Sequence, residues 1–284
     1  MAAEILGGYR LQKLMMTGQT SQVWEVVELS SQRHFAMKLL LPENANSGLH
    51  RTMLFHEASV GLAMAHPNII RIVTVNKDQK NPYFVMEFFP GGSLRARLMT
   101  KQVDFIRQHA MNIFKQAATA LAFMNTQRWV HRGVKPDNML VSSAGDLRVI
   151  DFALAKRIEK PSLFGRMFRK KGKTQGTRSY MSPEQIRGDY LDGRADVYSF
   201  GASLYELLTG RPPFRAESQE ALLRKHLIEK PTTPCMYNPD VTEEFGELVL
   251  RMLAKKKEDR PRDFHEVLMK MRALRVYKEQ KKDK

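Results

Sequence analysis

The sequence of 284 residues contains a single cysteine, Cys235, and no long apolar run. One cysteine cannot form a disulfide within the chain, which is typical of a reducing compartment, and no group of cysteines and histidines has metal-site spacing. No apolar run approaches the roughly 18 residues that a helix needs to span a bilayer. Residues 1–9 also lack the charged start and apolar stretch of a secretory signal. These absences favour a cytoplasmic protein, and they leave open that the chain is the cytoplasmic domain of a longer one.

Acidic residues are scarce, and the formal net charge is +16. The imbalance is greatest between Lys156 and Arg178, where nine basic residues face one acid, Glu159. Such a segment is either a solvated loop or a docking surface for an acidic protein partner or substrate protein. A nucleic acid or an anionic membrane is less favoured, and the oligomeric state stays open. Residues 278–284 form a separate basic tail.

The apolar content of 43% is enough for one large domain or two lobes. Up to residue 90 the pattern predicts mostly strands, with one helix around Thr52–Ala65 that ends before Pro67. After Gly92 it predicts helices, and the main ones are Phe105–Gln127, Ala195–Leu208, Thr242–Leu253 and Asp263–Leu274. A strand-rich part followed by a helix-rich part predicts an α+β fold of two lobes, residues 1–88 and 89–277, with the change inside Glu87–Gly92.

Five motifs occur in a fixed order along this pattern. They are Phe35-Ala36-Met37-Lys38, Glu57 on the next helix, His131-Arg132-Gly133-Val134-Lys135-Pro136-Asp137-Asn138, Asp151-Phe152-Ala153, and Ser182-Pro183-Glu184 followed by Asp196-Val197-Tyr198-Ser199-Phe200-Gly201. Together they resemble the eukaryotic-type serine/threonine protein kinases that also occur in bacteria, over about residues 9–275. The resemblance implies a bilobal kinase fold and a role in signalling.

The resemblance also implies a site for ATP and Mg²⁺. Lys38, positioned by Glu57, matches the lysine that grips the phosphates, and Asn138 and Asp151 match the two magnesium ligands. A purely structural ion pair is the alternative for Lys38 and Glu57. The remaining residues that match the nucleotide pocket are Gly18, Val23, Ala36, Met86, Glu87, Phe89 and Leu140.

The phosphate-binding loop departs from the family pattern of three glycines. Aligned on Val23, these places hold Met16, Gly18 and Ser21. Glycine lets the backbone approach a phosphate closely, and a methionine side chain would crowd it. We therefore expect ATP and Mg²⁺ to bind weakly, and a plain β-hairpin with no phosphate role is the alternative.

The largest departure is Gly133, which stands where the family has the aspartate that accepts the substrate proton. Glycine cannot do this, and general-base help is worth about 10²–10⁴-fold. Ala153, in place of the glycine after Asp151, is a smaller change. The resemblance thus implies a degenerate kinase, a pseudokinase acting mainly through protein contacts. A slow kinase that uses Lys135 and the metal ligands is the alternative.

Several other positions match structural or regulatory residues of the family. Asp196 matches the acid that holds the catalytic loop, and Glu184 with Arg260 matches a buried ion pair. Arg132 matches the arginine that grips a phosphate on an activation-segment hydroxyl, here Ser162, Thr174 or Thr177, of which Thr177 is expected to be structural. Gly61 falls in a hydrophobic column beside Ile72 and Phe152, where we expect a missing side chain to leave a gap and loosen the helix. Filling of that gap by the flexible side chain of Met64 is the alternative.

Overall fold

The computed structural model describes residues 4–158 and 177–279. The chain divides into two compact units, one of residues 1–91 with 150–153 and one of residues 92–149 with 154–284. The first is built on an antiparallel sheet and the second mainly on helices, which confirms the predicted α+β class. The division falls at Gly91 rather than at residue 88.

The first unit is a six-stranded sheet of order β1-β2-β3-β4-β6-β5 with its helices inserted between β4 and β5. Its elements are β1 Ile5–Leu6, β2 Tyr9–Thr17, β3 Ser21–Glu28, β4 His34–Leu40, α1 Pro42–Ala45, α2 Gly48–Leu62, β5 Ile72–Asn76 and β6 Tyr83–Glu87. All neighbouring strands are antiparallel, and the pairs that follow one another in the chain are joined by short connections.

Alternation along β4 gives this sheet two different faces. Met37 packs with Val26 and Val85 in a cluster on one face. Leu40 packs on the other face with α2, whose Leu54 and Ala58 belong to the same cluster. Lys38, which is two residues from Leu40, therefore lies on the face that α2 covers.

Gly61 on α2 does not leave the gap that the sequence suggested. A Cβ atom built there would lie 2.4 Å from Ile72 Cγ1 and 3.3 Å from Phe152 Cδ2. Ile72 is itself buried. The expectation of a cavity was wrong, because the isoleucine side chain already fills the space that glycine leaves.

The second unit begins around strand β7, Gly91–Ser93. It continues with α3 Leu94–Met99, α4 Val103–Thr126, β8 Trp129–Val130, β9 Met139–Ser142, β10 Leu147–Val149, β11 Lys156–Arg157, α5 Pro183–Arg187, α6 Arg194–Thr209, α7 Gln219–Ile228, α8 Glu243–Met252 and α9 Phe264–Ala273. Strands β10, β9 and β7 form one small sheet, and β11 pairs with β8 in another. Helix α6 is buried from Ala195 to Leu208 and forms the centre of this unit, as its nearly continuous apolar sequence predicts.

Across residues 4–158 and 177–279, none of the helices combines the length and the apolar character needed to cross a membrane.

Candidate active site

In the first unit, Lys38 and Glu57 form a buried ion pair. Lys38 Nζ donates to Glu57 Oε2 at 2.6 Å, and the two side chains are 17% and 6% exposed. Strand β4 supplies the lysine and helix α2 the glutamate, so the pair forms only when the helix lies against the sheet. The charges of Lys38 and Glu57 also feel the carboxylate of Asp151, which belongs to the same unit.

These three charges perturb one another because water is excluded. Burial raises the pKa of Glu57 to about 7, opposed by Lys38 and supported by the negative charge of Asp151. Burial alone would lower the pKa of Lys38, but the carboxylates of Glu57 and Asp151 outweigh that effect and raise it. The lysine is therefore held as a cation between two acids, which suits it to bind a polyanion.

Asp151 has a backbone conformation that is uncommon for residues other than glycine. Its φ angle is +67°, and its Oδ1 accepts the amide N–H of Ala153 at 3.3 Å. Arg132 in the second unit has a φ of +62°. Strained angles of this kind concentrate at functional sites.

Cross-strand pairing places four residues in one row across the sheet of the first unit. Met16 lies opposite Val23, Val23 opposite Lys38, and Lys38 opposite Phe84. Directly opposed residues share a face, so Met16 lies on the face that carries the lysine. The bulge between Leu14 and Met16 interrupts alternation here. Met16 is 56% exposed.

Gly18 closes the hairpin between β2 and β3. Its amide N–H donates to the carbonyl of Ser21 at 2.9 Å, and a Cβ atom at Gly18 would lie 3.3 Å from that oxygen. This N–H is thus engaged within the hairpin.

The other residues that match the nucleotide pocket lie in both units. Ala36 is opposite Met86 in the sheet, and both share the face of Lys38. Glu87 Oε1 accepts the amide of Arg71 at 3.2 Å, and Phe89 is buried. Leu140 is half-buried on β9 in the second unit.

In the second unit, Gly133 lies within a hydrogen-bonded loop. Its amide donates to His131 Nδ1 at 3.1 Å, and its carbonyl accepts from Asn138 Nδ2 at 2.8 Å. The Asn138 amide oxygen, which is the atom that a magnesium ion would take, is not used in this bond. A hydrogen-bonded loop thus surrounds Gly133, which has no side chain that could act as an acid or a base.

Asp196 holds this loop from helix α6. Its carboxylate accepts the amides of His131 at 2.8 Å and of Arg132 at 2.9 Å. The carboxyl group is fully buried, and burial raises its pKa. The loop is therefore positioned by a group remote in sequence, as the resemblance implied.

Lys135 and Thr177 are directly joined. Lys135 Nζ donates to Thr177 Oγ1 at 2.9 Å, so the threonine hydroxyl has a partner despite the absent aspartate.

Arg132 is partly buried, which lowers its pKa, and its Nε contacts no acceptor among the described residues. Such an arginine is suited to an incoming anion.

The sequence did not reveal a cluster around Arg95. This arginine donates to both carboxylate oxygens of Glu206 at 2.7 and 3.0 Å, to the phenol of Tyr180, and to Asp137 Oδ2 at 3.4 Å. The members are up to 111 residues apart in sequence, and no local pattern relates them. Asp137, the acid nearest to Gly133 in sequence, is therefore ion-paired.

Two predicted features fall mainly outside the described residues. Within the basic segment Lys156–Arg178 the structure describes only 156–158 and 177–178, so Ser162 and Thr174 lie outside it. Of the basic tail, only residues 278 and 279 are described.

A sheet unit with a buried lysine–glutamate pair, joined in sequence to a helical unit with an aspartate-anchored loop, defines the class of protein kinase-like domains. The sequence also matches the protein kinase domain family over residues 9–271, and the chain belongs to that family.

Curated relatives agree with this assignment. Serine/threonine-protein kinase PknB of Mycolicibacterium smegmatis is 33% identical over 281 residues, covering 97% of this chain and 44% of that protein. PknB of Mycobacterium leprae is 32% identical over 256 residues, covering 89% and 40%. A probable serine/threonine-protein kinase of Clostridium acetobutylicum is 30% identical over 260 residues, covering 92% and 39%. The chain spans less than half of the length of these relatives.

Proposed function

We propose that this chain is a pseudokinase domain that binds Mg-ATP weakly and acts mainly through protein contacts. The observation that carries the proposal is Gly133, which stands inside an otherwise ordered catalytic loop with no side chain to accept a proton. Asp137 is the nearest acid in sequence, and its pairing with Arg95 supports the view that it does not replace the missing base.

Nucleotide binding rests on the buried pair of Lys38 and Glu57 beside Asp151. In protein kinases ATP is bound together with magnesium. Here Lys38 would hold the phosphates, and the side-chain oxygens of Asp151 and Asn138 match the magnesium ligands of the family. The exposed Met16 and the engaged amide of Gly18 support weak rather than tight binding. The chemistry of these charged residues thus fits Mg-ATP, whereas the hairpin that carries Met16 and Gly18 fits it less well.

A thermal melt with millimolar Mg-ATP tests this part of the proposal. At ten times Kd, a ligand that binds only the folded state adds about 1.4 kcal/mol to the free energy of unfolding. We expect Tm to rise by a few degrees, with Lys38→Met as the control that removes the rise. No shift, together with no displacement of a fluorescent nucleotide, would remove nucleotide binding from the proposal.

A slow serine/threonine kinase is the second candidate. It is favoured by the intact ion pair of Lys38, by the contact of Lys135 with Thr177, and by the kinase names of the relatives. Without the base, a turnover of tens per second would fall to about one in minutes at the 10⁴ limit of general-base help. Radiolabelled phosphate transfer at high protein concentration distinguishes the two candidates.

For the partner we propose an acidic protein that docks on the basic segment Lys156–Arg178, in the cytoplasm. The support is its charge, nine basic residues against one acid, and the single cysteine of the chain. Replacement of Arg169, Lys170 and Lys171 by glutamine should weaken binding of a glutamate-rich peptide in low salt. Equal weakening with duplex DNA, or none with the peptide, would contradict an acidic protein as the partner.

A further inference from the structure

Helix α2 carries Glu57, yet few large side chains fix its orientation. Its buried residues are Leu54, Glu57, Ala58, Val60 and Gly61. Alanine and glycine have no side-chain rotamers of their own, so at these positions the helix is held only by what packs against it, such as Ile72 at Gly61. Because Glu57 must meet Lys38 within hydrogen-bond distance, a contact outside this packing would further restrict the orientation of the helix.

Arg51 supplies such a contact six residues before Glu57 on the same helix. Its guanidinium donates to four backbone carbonyl oxygens, those of Lys77 at 3.0 Å, Asp78 at 3.1 Å, Gln79 at 3.1 Å and Ala45 at 3.2 Å. Three of these carbonyls belong to the connection between β5 and β6, and the fourth to α1. The guanidinium also lies 5.4 Å from the ring centre of Phe55, which packs on the cluster beneath α2.

The connection that accepts these bonds is itself ordered by side chains. The amide of Asp78 donates to Asn76 Oδ1 at 2.8 Å. Asp78 Oδ1 in turn accepts the amides of Lys80 at 2.6 Å and Asn81 at 3.1 Å, and these backbone bonds lower the pKa of Asp78. These amides are therefore hydrogen-bonded inside the turn. The carbonyl oxygens of residues 77–79 accept from the guanidinium of Arg51 instead.

These contacts complete a closed frame around the ion pair. Helix α2 is tied by Arg51 to the connection that leads into β6. Strand β6 pairs with β4, where Phe84 lies directly opposite Lys38. Lys38 then returns to α2 through Glu57. From this frame we propose that Arg51 is a positioning residue for the Lys38–Glu57 pair.

Arginine is the residue type that this role requires. Its planar guanidinium carries five N–H donors in a fixed arrangement and can bind several carbonyls at once, whereas lysine is a single point of charge. The inference rests on the proposed function only where nucleotide binding is the measurement. It makes no use of Gly133 or of the second unit.

The test compares Arg51→Met, which keeps an apolar stem, with Arg51→Lys and with the control Arg33→Met, which removes the same charge from an exposed position of the same unit. We expect the Lys38–Glu57 pair to bind the phosphates of ATP. Arg51→Met should therefore weaken Mg-ATP binding about tenfold, because one or two charged hydrogen bonds would no longer favour the helix orientation in which Glu57 meets Lys38. Adenosine, which has no phosphates, should bind as before. Arg51→Lys should recover part of the Mg-ATP affinity, and Arg33→Met should lose none.

Amide hydrogen exchange without nucleotide provides a second, independent measurement. In Arg51→Met we expect faster exchange in α2 and in residues 77–81, with unchanged exchange in α6 of the second unit. Unchanged exchange in α2, or equal loss of Mg-ATP and adenosine binding, would overturn the inference. If the unaltered protein binds no nucleotide, nucleotide binding in the proposed function fails, and the exchange of α2 alone decides the role of Arg51.

Discussion

At the scale of single residues, the effect of adding a side chain at a glycine depends on the space around that glycine. A Cβ atom at Gly61 would overlap Ile72, whereas nothing lies within 4 Å of a Cβ atom at Gly48, on the same helix. The identity of a residue is visible in sequence, but the room beside it is decided by its neighbours in space. This is why the sequence-based expectation of a gap at Gly61 was wrong.

The two glycines provide a matched pair of variants. Gly61→Ala should lower the free energy of unfolding by up to about 2 kcal/mol, because an overpacking cost of about 1–3 kcal/mol is offset only in part by a gain in helix propensity of about 1 kcal/mol. Gly48→Ala should leave it unchanged or raise it by up to about 1 kcal/mol. Urea denaturation measures both, and a stabilised Gly61→Ala would show that Ile72 can move aside.

At the scale of elements, a buried ion pair joins helix α5 to the segment before α9. Arg260 is fully buried and donates to Glu184 at 2.6 and 2.8 Å. The same guanidinium also binds the carbonyls of Ala254 and Arg194, each at 2.8 Å. Its removal would leave a buried carboxylate and several carbonyls without a donor.

Arg260→Met should therefore destabilise the protein by about 3–5 kcal/mol, the usual cost of breaking a buried pair from one side. The control is Arg251→Met, which breaks the more exposed pair with Glu266 and should cost about 0–1 kcal/mol. Equal costs for the two variants in chemical denaturation would mean that burial does not set the strength of the Arg260 contacts.

Helices α6 and α7 meet at a histidine that should make stability depend on pH. His226 is buried, and its Nδ1 lies 2.9 Å from the hydroxyl of Tyr198. Burial, with the charge of Lys255 as a smaller cause, lowers the pKa of His226 to about 3. Below the ordinary pKa of about 6.5 the unfolded chain takes up a proton that the folded chain does not, so stability falls as the pH falls.

Between pH 7.5 and 5.5 this group should remove about 1 kcal/mol of stability. His226→Gln keeps a polar partner for Tyr198 and has no such proton to take up. Its free energy of unfolding should therefore fall by about 1 kcal/mol less over the same range. Parallel pH dependences of the two proteins would contradict a neutral buried histidine.

At the scale of the whole molecule, the hydrophobic pattern of the sequence predicted the two kinds of unit and the main helices. The predicted helix Ala195–Leu208 is observed as Arg194–Thr209, because its apolar pattern has no competing signal. The predicted Thr52–Ala65 is observed as Gly48–Leu62, since Ser47 caps the helix earlier than its apolar pattern begins. Periodicity thus located the helices, and capping side chains determined where they begin.

Only part of the candidate site could be predicted from the sequence. Residues in motifs were found by their spacing, and Lys38 with Glu57 indeed meet in space. Arg51 and Arg95 could not be found in this way, because their partners are backbone carbonyls or acids far along the chain. Contacts of that kind become visible only in the folded structure.

The most direct test of the account restores the missing base with Gly133→Asp. The loop leaves limited room, since a Cβ atom there would lie 3.2 Å from His131 Nδ1 and 3.4 Å from Asn138 Nδ2. The imidazole must therefore yield by a few tenths of an ångström. Gly133→Asn is the matched control, because it has the same size and cannot act as a base.

Radiolabelled phosphate transfer from ATP to a generic basic protein is the measurement. If the absent carboxylate is the main defect, Gly133→Asp should raise the rate by about 10²-fold or more over the unaltered protein. Gly133→Asn should stay at background, and adding Ala153→Gly should give a smaller further gain. Ordinary kinase rates in the unaltered protein, or background activity in Gly133→Asp while Mg-ATP still binds, would contradict the account.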